Sequence, residues 1–166
     1  MSQVKDVLNS KLDSLSQNLT YCEKKLNYLD NRIRETGRFD AGGIYINDEL
    51  NAVKVRLDRA YSSELKIIEE TVDNLEGQGI FNAHEIQQLN GKRFAILKDL
   101  DALQSKLYNI KNRLKQKNLF AYLIDSIDSA SETVSNLIFT VTDLAFDALV
   151  NKTISGFNPG RFLPFS

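Results

Sequence analysis

Apolar side chains recur along the first stretch of the chain at alternating steps of four and three: Leu8, Leu12, Leu15, Leu19, Cys22, Leu26, Leu29 and Ile33. That spacing keeps one face of a helix apolar over several heptads. It predicts a helix over residues 3–35, ended by Gly37, which can adopt a left-handed conformation after a helix. Residues 36–47 read as a loop, with Asn47 as the N-cap of a second helix over 48–76. The apolar row of that helix is Leu50, Val53, Leu57, Tyr61, Leu65, Ile68, Val72 and Leu75, and Gly77-Gln78-Gly79 closes it. Asn82 and Glu85 have the spacing of a capping box and open a third helix over 83–116. Its row runs Ile86, Leu89, Arg93, Ile96, Leu100, Leu103, Leu107, Ile110 and Leu114, broken only by Arg93, for which Glu64 or Glu69 are candidate partners. A fourth helix over 119–154 carries Phe120, Leu123, Ile127, Ala130, Val134, Leu137, Val141, Leu144 and Ala148.

No Gly or Pro separates the third and fourth rows, but the step from Leu114 to Phe120 is one residue short of a heptad. The phase slip favours a turn near residues 115–119 over the alternative of one continuous, very long helix. The fold class read from these rows is all-α: long antiparallel heptad-patterned helices, as a three- or four-helix bundle or coiled-coil hairpins. Consecutive helices pair in this reading. Ile33 then faces Leu50, Leu26 faces Leu57, Cys22 faces Tyr61 and Leu8 faces Leu75. In the next hairpin Leu75 faces Ile86, and Leu57 and Val53 face Leu103 and Leu107. Residues 1–155 form the bundle and residues 156–166 an extended C-terminal arm, because both prolines, Pro159 and Pro164, fall there.

Composition narrows the function. The chain of 166 residues has 21 basic and 22 acidic side chains, one His and one Cys. A near-zero net charge argues against a dedicated nucleic-acid binder. A lone Cys excludes an internal disulfide, and a lone His with a lone Cys argues against structural zinc. His84 reads as an exposed residue of a helix start, and Cys22 as a small buried apolar group. The Gly pairs lack the strand-to-helix setting of phosphate loops. Asp125, Asp128 and Glu132 share a helix face, which reads as solvated or partner-facing. No catalytic residue, cofactor or metal ligand is assigned, and the expectation is that the protein is not an enzyme. No apolar leader opens the sequence, and residues 137–150 contain Asp143 and Asp147. The expected location is therefore cytoplasmic or within an assembled particle.

Charge is uneven. Residues 48–76 have four basic and eight acidic side chains, whereas residues 92–118 have eight basic and two acidic. Complementary faces between helices account for this most simply; a basic patch along Lys111, Arg113, Lys115 and Lys117 is the competing reading.

The most informative region is residues 119–166. In a continuing helix Phe139 and Phe146 fall seven apart at outward positions, where a lone bundle should be polar, so this face reads as buried either in a wider core of the monomer or against another subunit or protein. The arm adds Phe157, Pro159, Arg161, Phe162, Leu163 and Phe165, spaced anchors suited to a groove on a partner. These eight residues are the candidate partner-binding set. The expected function is a non-enzymatic structural or adaptor subunit of a larger assembly, docking to a protein partner or to copies of itself. A virion or phage-particle component is one concrete version, by analogy alone. The alternative is a membrane-active bundle whose fourth helix inserts into lipid, against which the acidic polar face of that helix argues.

Overall fold

The computed structural model describes residues 2–35, 42–116 and 121–150. They are helical almost throughout. The first helix, α1, spans Ser2–Glu35. Next come α2 (Gly42–Arg59), a π-helical turn (Ala60–Glu64) and α3 (Leu65–Leu75), joined without a break in helical backbone. After a short connection, α4 spans Ala83–Gln116 and α5 spans Ala121–Thr142. A single 3-10 turn, Phe146–Leu149, closes the described chain. The arm at 156–166, the last residues of the expected fourth helix at 151–154, Phe120 and residues 117–119 of the expected turn at 115–119 lie outside the described residues, while residues 115 and 116 of that turn belong to α4.

Every residue of the first apolar row is buried, from Leu8 to Ile33. The third row is buried apart from Arg93, and the fourth from Leu123 to Leu144. One continuous cluster of these side chains runs the length of the bundle, and no charged or polar residue is fully buried among those described. Area removed from water is what drives the helices together.

The second row differs from its expected phase. Ala60 is buried and Tyr61 only partly so. The π turn inserts one extra residue between Leu57 and Leu65, so the step is three then five instead of four then four. At this turn Arg56 donates to Asn18 Oδ1 at 2.8 Å and stacks 3.9 Å from the centre of the Tyr21 ring. Asn18 in turn donates to Glu64. Burial pushes the Glu64 carboxyl above its usual range, a rise that Lys11, Arg56 and Arg59 only partly offset.

Two expected boundaries move. Residues 42–47, read as loop, belong to α2, so Asn47 is inside a helix and is not an N-cap. The expected helix to residue 154 stops at Thr142. Arg93 caps this end. Its guanidinium does not pair with Glu64 or Glu69; it donates to the carbonyls of Thr142 (3.1 Å) and Leu144 (3.2 Å). A cation is thereby placed on the carbonyl-rich end of a helix, where the dipole favours it.

Side-chain pairs give the arrangement. Between α1 and α4 the residue numbers rise together: Lys5 with Glu85 (3.0 Å), Asp13 with Lys92 (3.0 Å), Asn27 with Lys106 (2.6 Å) and Asp30 with Arg113 (2.8 Å). These two helices run side by side in the same direction. Between α4 and α5 one number rises as the other falls: Arg93 with Thr142, Gln104 with Ser135 (2.8 Å), Lys111 with Asp128 (2.7 Å). The same holds for α1 and α2, with Lys25 to Glu49 (2.7 Å) and Arg56 to Asn18. Helix α2 also packs on α5, where Thr133 donates to Asp58 at 2.9 Å.

The bundle therefore orders its four rods as α1, α4, α5 and α2–α3 around the core. The consecutive rods α2–α3 and α4 lie diagonally across it, so the expected hairpin of Leu75 with Ile86 and Leu57 with Leu103 is not formed. The expected register of the first pair also shifts: Cys22 Sγ lies 4.0 Å from the Val53 carbonyl, two turns away from Tyr61. The diagonal crossing is made by residues 76–82. Gly77 and Gly79 take φ of 83° and 62°, values that glycine adopts without the Cβ clash of other residues. The capping box follows at once: Glu85 N–H donates to Asn82 Oδ1 (2.8 Å), and Asn82 N–H to Glu85 Oε1 (3.0 Å).

Candidate functional site

The end of the bundle where α5 stops contains the features that the long apolar rows do not explain. Beyond Thr142 the chain leaves the helix axis, and the 3-10 turn packs over α3 and α4. Phe81 N–H donates to the Leu149 carbonyl (3.3 Å), and Phe81 and Val150 form an isolated bridge. Asn90 donates to Asp147 at 3.1 Å. Together Phe81, Leu144, Phe146, Leu149 and Val150 plug the base of the core.

This geometry separates the two outward phenylalanines of the sequence reading. Phe146 is only 1 % exposed, because it sits on the 3-10 turn facing inward and not on an extended α5. It is a core residue and is withdrawn from the partner-binding set. Phe139 is 72 % exposed, the most exposed of the large apolar side chains among the described residues. Phe94, one residue after the capping Arg93, is also exposed, with the Arg93 guanidinium 5.4 Å from its ring centre. Phe157, Pro159, Arg161, Phe162, Leu163 and Phe165 lie outside the described residues.

Phe139 flanks a cleft of about 150 Å3 between α3 and the end of α5. Its walls include Val72, Thr140, Leu144 and Ala145, and three carboxylates: Glu69, Asp73 and Asp143. Asp143 follows the last residue of α5, where the helix dipole disfavours an anion. The mixture is apolar and acidic. On the side facing α4, Ser135, Ile138 and Thr142 continue the surface around Phe139.

Elsewhere the candidate chemistry resolves into structural roles. Much of the basic run of α4 engages neighbouring helices: Lys92, Lys111 and Arg113 pair with Asp13, Asp128 and Asp30, and Lys106 donates to Asn27, while Lys115 is exposed and Lys117 lies outside the described residues. Asp128 is thereby taken out of the carboxylate face it was grouped in with Asp125 and Glu132. Burial pushes the Cys22 thiol up to about 11, against a smaller opposing effect of Arg56. Such a thiol is held protonated and away from solvent, the opposite of an activated nucleophile. Burial and the nearby Glu23 raise Asp99, while the Asn82 backbone and Lys5 lower Glu85. Among the described residues no cluster of His, Cys, Asp and Glu could hold a metal ion, and no helix is long and apolar enough to cross a membrane.

No family model, curated protein or solved structure matches the chain. The functional reading therefore rests on the surface just described.

Phe81, Phe146, Leu149 and Val150 of this region are buried outside the apolar rows. Phe81 is among the largest fully buried side chains, yet it precedes the third row. The signal for it is present: Phe81 and Ile86 stand at the two positions of a hydrophobic staple around the Asn82 cap.

Proposed function

We propose that the protein is a non-enzymatic structural or adaptor subunit that docks into a larger protein assembly through the surface at the end of α5 and the C-terminal arm. The observation that carries this reading is Phe139: a large apolar ring, 72 % exposed at the end of α5, ahead of Tyr108, Phe94 and Val55, which are also more than half exposed among the described residues. A bundle with a continuous apolar core and cross-helix ion pairs is a stiff spacer, and an exposed apolar ring beside a cleft at one end gives another protein a place to hold it. The arm supplies further anchors in Phe157, Phe162, Leu163 and Phe165, flanked by Pro159 and Arg161. An extended segment bearing spaced aromatics gains affinity from pockets on a partner. A place in a cytoplasmic complex or an assembled particle, a virion among the possibilities, fits this reading equally.

Native size fractionation of extracts from cells or particles that contain the protein tests it. The full-length chain is expected in a fraction of much higher mass than the monomer. Phe139→Glu and Phe162→Asp are each expected to return it to monomer size with helical content unchanged. A native chain that migrates alone at monomer mass refutes the assembly role.

A further inference from the structure

The cleft beside Phe139 is lined by acidic side chains and by no basic one, and the Arg93 guanidinium nearby is engaged with the Thr142 and Leu144 carbonyls that flank Asp143. Glu69, Asp73 and Asp143 line it, no cation does, and none of the three takes part in an ion pair among the described residues. An occupant has to bring a cation beside an apolar group. The C-terminal arm has that composition: residues 156–166 contain one cation, Arg161, no acid, and Phe162 directly after it. The planar guanidinium suits carboxylate pairs, and its apolar neighbour suits the exposed ring.

We propose that residues 156–166 dock into this cleft of their own chain, with Arg161 among the three carboxylates and Phe162 against Phe139. The reach is ample. Ala145 lines the cleft and Val150 is tied to Phe81, so Val150, the last described residue, lies within about 17 Å of the cleft, the greatest span of five residues. Arg161 lies eleven residues past Val150 and can extend about 36 Å. A short tether presents the arm at an effective concentration on the order of millimolar, so a second copy must be as concentrated to displace it. The docked arm covers Phe139 until an assembly partner takes either surface. This inference rests on the docking role proposed above and adds its resting state.

Paramagnetic relaxation in the purified full-length chain tests the proposal. The buried Cys22 thiol leaves Ser166→Cys as the accessible site for a nitroxide. Selective broadening is expected at the backbone amides of residues 69–73 and 139–145. Arg161→Glu, a change in the arm that leaves the bundle untouched, is expected to abolish it. In a mixture of spin-labelled chains with isotope-enriched unlabelled chains, no broadening is expected on the enriched chains. Absence of selective broadening, its survival in Arg161→Glu, or its transfer between chains each overturns the proposal, the last by placing the arm on a second copy. A free arm in the purified chain with Phe162-dependent assembly in extracts removes this inference alone. A docked arm in a chain that never assembles removes the proposed function alone.

Discussion

Phe139 and Phe146 give the sharpest quantitative contrast in the molecule. In sequence they are equivalent, seven residues apart with the same helical phase. In the structure Phe146 is 1 % exposed inside the plug at the base of the core, and Phe139 is 72 % exposed. Truncation of a buried phenylalanine to alanine loses its transfer free energy and leaves a cavity, together about 3–5 kcal/mol. Truncation of an exposed one away from special features changes stability by less than about 0.5 kcal/mol. For a chain of this size each kcal/mol moves the melting temperature by roughly 2–4 °C. Phe146→Ala is therefore expected to lower the melting point by on the order of 10 °C, and Phe139→Ala to leave it within about 2 °C. Helical circular dichroism, followed through heat and urea unfolding of the two full-length variants, measures both. Equal and small effects would refute the reasoning, because they would mean that α5 continues past Thr142 and carries Phe146 outward. Equal and large effects would mean that Phe139 is buried against the bundle.

Three further outcomes follow from named contacts. Arg93→Met keeps most of the stem but strips the Thr142 and Leu144 carbonyls of their donor, and is expected to cost about 1.5–3 kcal/mol in urea unfolding, the usual worth of hydrogen bonds to a charged group; no loss would show that water caps the helix as well. Glu85 has a carboxyl held below its ordinary 4.5 by the Asn82 N–H first and Lys5 second, so its stabilising contribution is complete above that ordinary value and is lost as pH falls through the lowered one. The stability gap between the native chain and Glu85→Gln should thus be constant near neutrality and close below the ordinary carboxylate range; a gap that widens in acid contradicts the capping contact. Cys22, buried and with its thiol near 11, should react with a disulfide reagent only as fast as the bundle opens, so that labelling slows in step with stabilising conditions; fast labelling of the folded protein would place the side chain outside the core.

The apolar rows of the sequence identified α1, α4 and most of α5 residue by residue, from Leu8 to Ile33, Ile86 to Leu114 and Leu123 to Leu144. A helical stripe is a local property: a period near 3.6 residues fixes which side chains share a face, whatever covers them. The capping box at Asn82 and Glu85 was legible for the same reason, since both partners lie within one turn. The candidate site was legible only in part. Phe139 stood out because an exposed aromatic at an outward position contradicts burial, but its phase-mate Phe146 carried the same signal and packs inside.

What the tertiary structure alone decided are the relations between stripes. Two apolar stripes match at several offsets, so pairing Cys22 with Tyr61 was as consistent with the pattern as the observed approach of Cys22 to Val53. Nothing in a stripe states which helix is its neighbour. That choice, with α1 beside α4 and the α2–α3 rod diagonal to α4, is carried by cross-helix pairs eighty residues apart such as Lys5 with Glu85, and by a glycine turn that can cross the base of the bundle. The end of α5 is of the same kind. No Gly or Pro stands near Thr142, and the weak helix formers Thr140, Val141, Thr142 and Asp143 do not fix where the helix ends; a guanidinium from α4, arriving through the fold, caps the carbonyls of Thr142 and Leu144. Periodicity is written locally and can be read from the chain. Register, neighbour order and a cap supplied by another helix depend on contacts between distant residues, and those exist only once the helices have packed.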